Sequence, residues 1–177
     1  INTPEALIHS SNIVTAQIAD QLGAVRMDAM LRAMRFNARP DIELAEKSRP
    51  LYPKTWGRLT NMTVGFGHGI AVTPMHLASA YAAMVNGGIY RPATMFKTKA
   101  DAKIPGRRVF TAATSARMRQ MMRMIVVDGT GSQADALGYR VGGKTGSAEK
   151  PGVGGYSRNL VVSTFASAFP MDNPRYV

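Results

Sequence analysis

The chain has 177 residues, enough for one domain with a packed core, and 45% of them are hydrophobic, which excludes a disordered tail. Lys and Arg number 22 against 11 Asp and Glu, giving a net charge of +11, and the absence of cysteine excludes disulfides and thiolate metal sites. No apolar run is long enough to span a bilayer, and the basic residues lie scattered without regular aromatic interleaving, so they read as a solvated surface and not as a nucleic-acid platform.

In chain order, Pro4 and Glu5 favour a short first helix, Ser10-Ser11-Asn12 interrupts it, and Ile13 to Leu22 resumes helical spacing with Gly23 as a stop. Met27 to Phe36 predicts another helix, with Met27, Met30, Leu31 and Met34 on one stripe. Pro40, Pro50 and Pro53 make the stretch from Asn37 to Asn61 an irregular excursion with one turn at Ile42 to Lys47. The alternate glycines Gly65, Gly67 and Gly69 mark a loop whose spacing is not that of a nucleotide site. Thr73-Pro74 caps a helix with Leu77, Ala80, Tyr81, Met84 and Val85 on its apolar face, ended by Asn86-Gly87-Gly88.

Tyr90 to Phe96 and Arg108 to Phe110 read as short extended pieces. Thr111 starts a helix whose stripe of Met118, Met121, Met122 and Ile125 is core packing, terminated by Gly129 and Gly131. A strand from Gly138 to Ser147, a glycine-rich hairpin from Pro151 to Tyr156 and a strand from Leu160 to Phe169 follow. Helices first and antiparallel strands last give an α+β class, a helical body packed on a sheet of which only part is present. The start at Ile1 and the strand-like Arg175-Tyr176-Val177 read as cuts inside a larger protein.

Chemistry concentrates at Val141 to Lys150. Lys144, Thr145 and Ser147 put a cation and two hydroxyls along one strand, and period-2 alternation sends both hydroxyls to one face. Gly146 between them leaves the backbone open to a ligand, and a backbone N–H there suits an oxyanion. Alone, Lys144 is a solvated edge lysine and Ser10-Ser11-Asn12 a capping loop. His9 beside Ser10 lacks an orienting acid, and His68 and His76 do not have the spacing of a metal pair. No cofactor or metal is expected.

Three separated pieces carry a resemblance. Ser10-Ser11-Asn12 matches a Ser-X-Asn motif, Lys144-Thr145-Gly146-Ser147 a Lys-Thr-Gly motif, and Gly67 to Gly88 strongly resembles the loop and helix between them in the penicillin-binding proteins. The chain looks most like the class B, division-type transpeptidases that crosslink septal peptidoglycan, with the elongation type a close second.

The resemblance implies the fold shared with serine β-lactamases and a D,D-transpeptidase acting on D-Ala-D-Ala stem peptides through a serine acyl-enzyme that β-lactams also form. It implies Ser10 as proton shuttle, Asn12 as orienter of the catalytic lysine and substrate amide, and Lys144 as the positive charge. Thr145, Gly146 and Ser147 would bind the substrate, with the Ser147 N–H in the oxyanion hole. Threonine is commoner in the family where Ser147 stands.

The family's nucleophile sits in Ser-X-X-Lys, and the one such string here, Ser147-Ala148-Glu149-Lys150, overlaps the Lys-Thr-Gly motif and is a decoy. Residues 1–177 are therefore expected to be the distal part of one transpeptidase domain, inactive alone. The upstream segment with the true motif and the final strands would lie in residues absent from this sequence or in another chain of a cleaved domain. The expected setting is the periplasmic face of the bacterial inner membrane, anchored by an upstream segment. The expected partners are stem peptides, β-lactams, the missing N-terminal part and division-machinery proteins, without nucleic acid. The competing readings are a penicillin sensor or other non-catalytic penicillin-binding module, and a basic polyanion binder.

Overall fold

A computed structural model describes residues 1–99, 101–152 and 155–177. Helix α1 (Thr3–Ile8) opens with a capping box: the Asn2 side chain accepts from the Glu5 N–H, and the Glu5 carboxylate accepts from the Asn2 N–H. The break expected at Ser10 to Asn12 is a tight corner. Ser10 takes φ 57°, Ser11 caps helix α2 (Asn12–Leu22), and α2 runs to Gly23. Helix α3 (Ala24–Ala33) begins at once, three residues before the expected Met27, because Gly23 at φ 77° caps both helices with no linker. It ends short of the expected Phe36, with Arg35 at φ 64°.

The excursion after α3 is irregular as expected, but Ile42 to Lys47 forms no helical turn; instead the Lys47 ammonium donates to the Ile42 carbonyl, and Ile42 is buried. The Tyr52 hydroxyl donates to Asp28 at 2.6 Å and its ring packs on Trp56, which ties the excursion back to α3. It also ends sooner than expected, at helix α4 (Arg58–Gly65).

Gly65 belongs to that helix and not to a loop, for a packing reason. A Cβ there would lie 2.6 Å from the Ala19 Cβ and 3.2 Å from the Thr15 carbonyl oxygen, so glycine lets α4 lie against α2. Asn61 donates to the Ala19 carbonyl at 2.5 Å, and the Arg58 guanidinium grips Asp20 and holds its carboxyl below the usual range. These contacts run in opposite order along the two helices, so they are antiparallel.

Helix α5 (Pro74–Val85) is capped by Thr73. His76 completes the box: its Nδ1 accepts from the Thr73 N–H, while Nε2–H donates to the Ala38 carbonyl at 2.9 Å. His76 is thus a buried structural cap that also pins the excursion. The expected extended pieces shrink to β1 (Ile89–Tyr90) and β2 (Arg107–Arg108), paired antiparallel.

Thr111 caps helix α6 (Ala112–Asp128) as expected. Strand β3 (Gly142–Gly152) starts later and runs further than expected, since Ala136 and Tyr139 close a turn before it. Strand β4 (Gly155–Ala168) pairs with it antiparallel, Lys144 opposite Ala166 and Ser147 opposite Ser163. Of the expected hairpin from Pro151 to Tyr156, Val153 and Gly154 lie outside the described residues.

Val85, Met122, Ala168 and Met171 form a core cluster with Tyr81 and Met84 against it, so α5, α6 and β4 meet there. Met122 and Ile125 from the expected α6 stripe are among the most buried side chains. The arrangement is α+β, with helices on an antiparallel pair.

Gly65→Ala gains about 1 kcal/mol of helix propensity but overpacks the α2–α4 contact at a cost of about 1–3 kcal/mol. Because one neighbour is backbone, overpacking wins: denaturant unfolding should give net destabilisation, and Gly65→Ala combined with Ala19→Gly should recover part of it.

Candidate active site

Two walls bring the site together. One is the corner between α1 and α2. Ser10 holds the left-handed φ that side chains other than those of glycine, Asn and Asp seldom adopt, and this turns its hydroxyl out of both helices. The other wall is β3. Alternation along the strand sends Thr145 and Ser147 to one face and Lys144 to the other, but the flexible lysine stem carries Nζ back to the strand edge. There the ammonium donates to the Thr145 carbonyl at 3.0 Å, to Thr145 Oγ1 at 3.4 Å, and across the gap to Ser10 Oγ at 2.8 Å.

Between the walls lies a cleft of about 700 Å³ lined by Ser10, Asn12, Thr15, Phe66, His68, Thr130 and Lys144 to Ser147, with Ala6, Leu7 and Gly65 completing it. All six residues predicted from sequence line this one cleft: Ser10, Asn12, Lys144, Thr145, Gly146 and Ser147. The Asn12 side chain, exposed in the first turn of α2, makes no hydrogen bond to Ser10 or Lys144 among the described residues.

Sequence reasoning missed Thr130, whose hydroxyl lies 2.8 Å from Thr145 Oγ1. It also gave no role in the cleft to Phe66 and His68, whose rings pack at a tilt of 54° with centroids 5.4 Å apart just after α4. The signal for Thr130 was its place between Gly129 and Gly131, which had been read only as a helix stop.

The described residues lining the cleft include a lysine and several hydroxyls but no carboxylate. Burial lowers the Lys144 pKa from its ordinary 10.5. The charged form is held by neutral oxygens in place of a counter-ion, which makes the cleft receptive to an anion. Among the described residues no group of three or more His, Asp or Glu side chains is placed to hold a metal ion. Ser147 and Lys150 lie on an extended strand, where three residues span about 10 Å and not the single turn of a helix, so this Ser-X-X-Lys string does not present a lysine to its serine. Among the described residues no helix is long and apolar enough to cross a membrane.

Residues 1–177 match the family model described as the penicillin binding protein transpeptidase domain. The chain is 40% identical over 179 residues to a Caulobacter vibrioides protein named "Probable peptidoglycan D,D-transpeptidase FtsI", with 98% of this chain and 30% of that protein covered. It is 31% identical over 170 residues to the peptidoglycan D,D-transpeptidase FtsI of Escherichia coli K12, with 94% of this chain and 29% of that protein covered. The chain thus spans about 30% of the length of the curated relatives it matches.

Among solved structures, the transpeptidase domain of Burkholderia pseudomallei penicillin-binding protein 3 superposes with a TM-score of 0.93 at 32% identity, covering 99% of this chain and 54% of that one. Penicillin binding protein 3 of Mycobacterium tuberculosis, complexed with ampicillin, superposes with a TM-score of 0.90 at 29% identity, covering 99% and 43%.

The Lys144 Cε resonance should titrate with a midpoint below 10.5, and Ser10→Ala, which removes an acceptor from the charged form, should lower it further. Between that midpoint and 10.5 the unfolded chain binds more protons than the folded one, so the destabilisation caused by burying Lys144 should fade as pH rises through this window. Anion binding should weaken over the same window, because only the ammonium form is charged.

Proposed function

The chain belongs to the penicillin-binding-protein transpeptidase family, and on that premise we propose that it is the distal part of the transpeptidase domain of a peptidoglycan D,D-transpeptidase acting in septal wall synthesis. In this reading the parent protein sits at the periplasmic face of the inner membrane, anchored by an upstream segment. Its partners are stem peptides, β-lactams, the N-terminal part of the same domain and the division machinery.

The observation that carries the reading is the Lys144 ammonium on Ser10 Oγ at 2.8 Å, in a cleft whose described lining has no carboxylate. An ammonium only donates, so Ser10 accepts from it and its own proton points elsewhere. That is the state a proton shuttle needs. The nucleophilic serine, supplied by the upstream segment, attacks the carbonyl carbon of the D-Ala-D-Ala amide. Its proton passes to a base; as the C–N bond breaks, Ser10 O–H gives its proton to the leaving amine nitrogen and takes the proton held by that base, so the hydroxyl is restored.

The substrate's terminal carboxylate lies against Lys144, Thr145 and Ser147. The Ser147 N–H faces the oxyanion, and Asn12 orients the substrate amide. An amine of a second stem peptide then takes the acyl group from the serine. Positive potential at Lys144 also favours ionisation along the Ser10 proton path.

A fluorescent penicillin should label the full-length protein and leave residues 1–177 alone unlabelled. In the full-length protein, Ser10→Ala and Lys144→Ala should each slow labelling about 10²–10⁴-fold, the usual worth of a proton-transfer group, while each variant still unfolds in a cooperative transition. Labelling of the isolated chain, or normal labelling of both variants, would overturn the proposal.

A further inference from the structure

Among the cleft residues that have no part in the chemistry above, Thr130 is bonded to one that does. Thr130 follows α6 and touches both walls. Its N–H donates to the Ile8 carbonyl, two residues before Ser10, and its hydroxyl lies 2.8 Å from Thr145 Oγ1. The loop is closely packed against its neighbours. A Cβ at Gly129 would lie 2.5 Å from the Ile8 carbonyl oxygen and 2.9 Å from that of Ile125, and the Gly131 N–H donates to the same Ile125 carbonyl at 3.0 Å. Thr130 is itself exposed to the cleft.

Counting protons gives this contact a direction. Thr145 Oγ1 has one proton and two lone pairs, and the Lys144 ammonium, which only donates, uses one lone pair. If Thr145 donates to Thr130, its proton is spent and it offers an incoming carboxylate only a lone pair, which is repulsive. If Thr130 donates to Thr145, the second lone pair is filled and the Thr145 proton is free to face the ligand. A carboxylate selects the second arrangement, which two hydroxyl rotations reach without moving a heavy atom. Donors in such a chain polarise one another.

We propose that Thr130 is a positioning residue for the carboxylate subsite, fixing the Thr145 rotamer and, by donating to Thr145 Oγ1, directing the Thr145 proton at the carboxylate of the bound ligand. The proposal rests on the functional reading above. Because Thr130 acts through the carboxylate, it governs ligand capture and not the bond-making step at the serine.

The test is stopped-flow acylation of the full-length protein by benzylpenicillin and by its neutral methyl ester. With benzylpenicillin, Thr130→Val should weaken the pre-covalent dissociation constant about 5-fold, the scale of one neutral hydrogen bond, and leave the limiting acylation rate unchanged. Thr130→Ser, which keeps the hydroxyl, should restore it. With the ester, wild type and Thr130→Val should bind alike. Equal losses with acid and ester, failure of Thr130→Ser to restore binding, or no loss with benzylpenicillin would each overturn the assignment. Normal acylation of wild type with any of these results leaves the functional reading standing, whereas a wild type that no penicillin acylates sinks that reading and this inference with it.

Discussion

A half-buried ammonium with no carboxylate among the described residues that line its cleft is the constraint on which this structure turns. Moving Lys144 out of water costs free energy unless its three protons find acceptors. They find the Ser10 hydroxyl and two oxygens of Thr145. All three are neutral, so the charge is solvated without being cancelled, and its field remains available in the cleft. A carboxylate in the same place would hold the lysine more firmly and abolish the anion-receptive potential.

Ser10 lies 134 residues from Lys144 in the chain, so the fold must hold the two walls in register. On one side α4 lies against α2 through Gly65, fixing the helix that starts at Asn12. On the other, Met122 and Ile125 of α6 are buried and the core joins α5, α6 and β4, with β3 paired along β4. The loop at Thr130 closes the circuit, bonded to the end of α1 through Ile8 and to β3 through Thr145. The site therefore depends on packing far from it, and a change at the α2–α4 contact reaches Asn12 and Ser10 through the helix they begin.

Much of this was legible in the sequence where chemistry and local geometry coincide. Caps at Thr73 and Thr111, the α6 stripe and the motifs at Ser10 and Lys144 depend on neighbours within a turn or two of chain. What was not legible depends on distant partners. Gly65 reads as a loop residue because glycine usually serves backbone freedom; its reason here is the Ala19 side chain, 46 positions away by the numbering. Helix α3 was misplaced because a single glycine capping two helices leaves no linker to detect. Thr130 went unnoticed because its hydroxyl matters only opposite Thr145, a pairing set by how α6 meets β3. The reach of β3 past Ser147 into Gly- and Pro-containing sequence follows from pairing with β4 and not from propensity.

The corner at Ser10 carries an inherent conflict. An L-residue in the left-handed region costs about 1 kcal/mol or more that glycine would not, so on conformational grounds alone position 10 belongs to glycine. Glycine would relax the corner and silence the hydroxyl together. With Ser10 in the proposed shuttle role, sequence drift toward greater robustness at this point runs against use, and libraries screened for thermal tolerance alone would be expected to accumulate sturdy molecules that lack this hydroxyl.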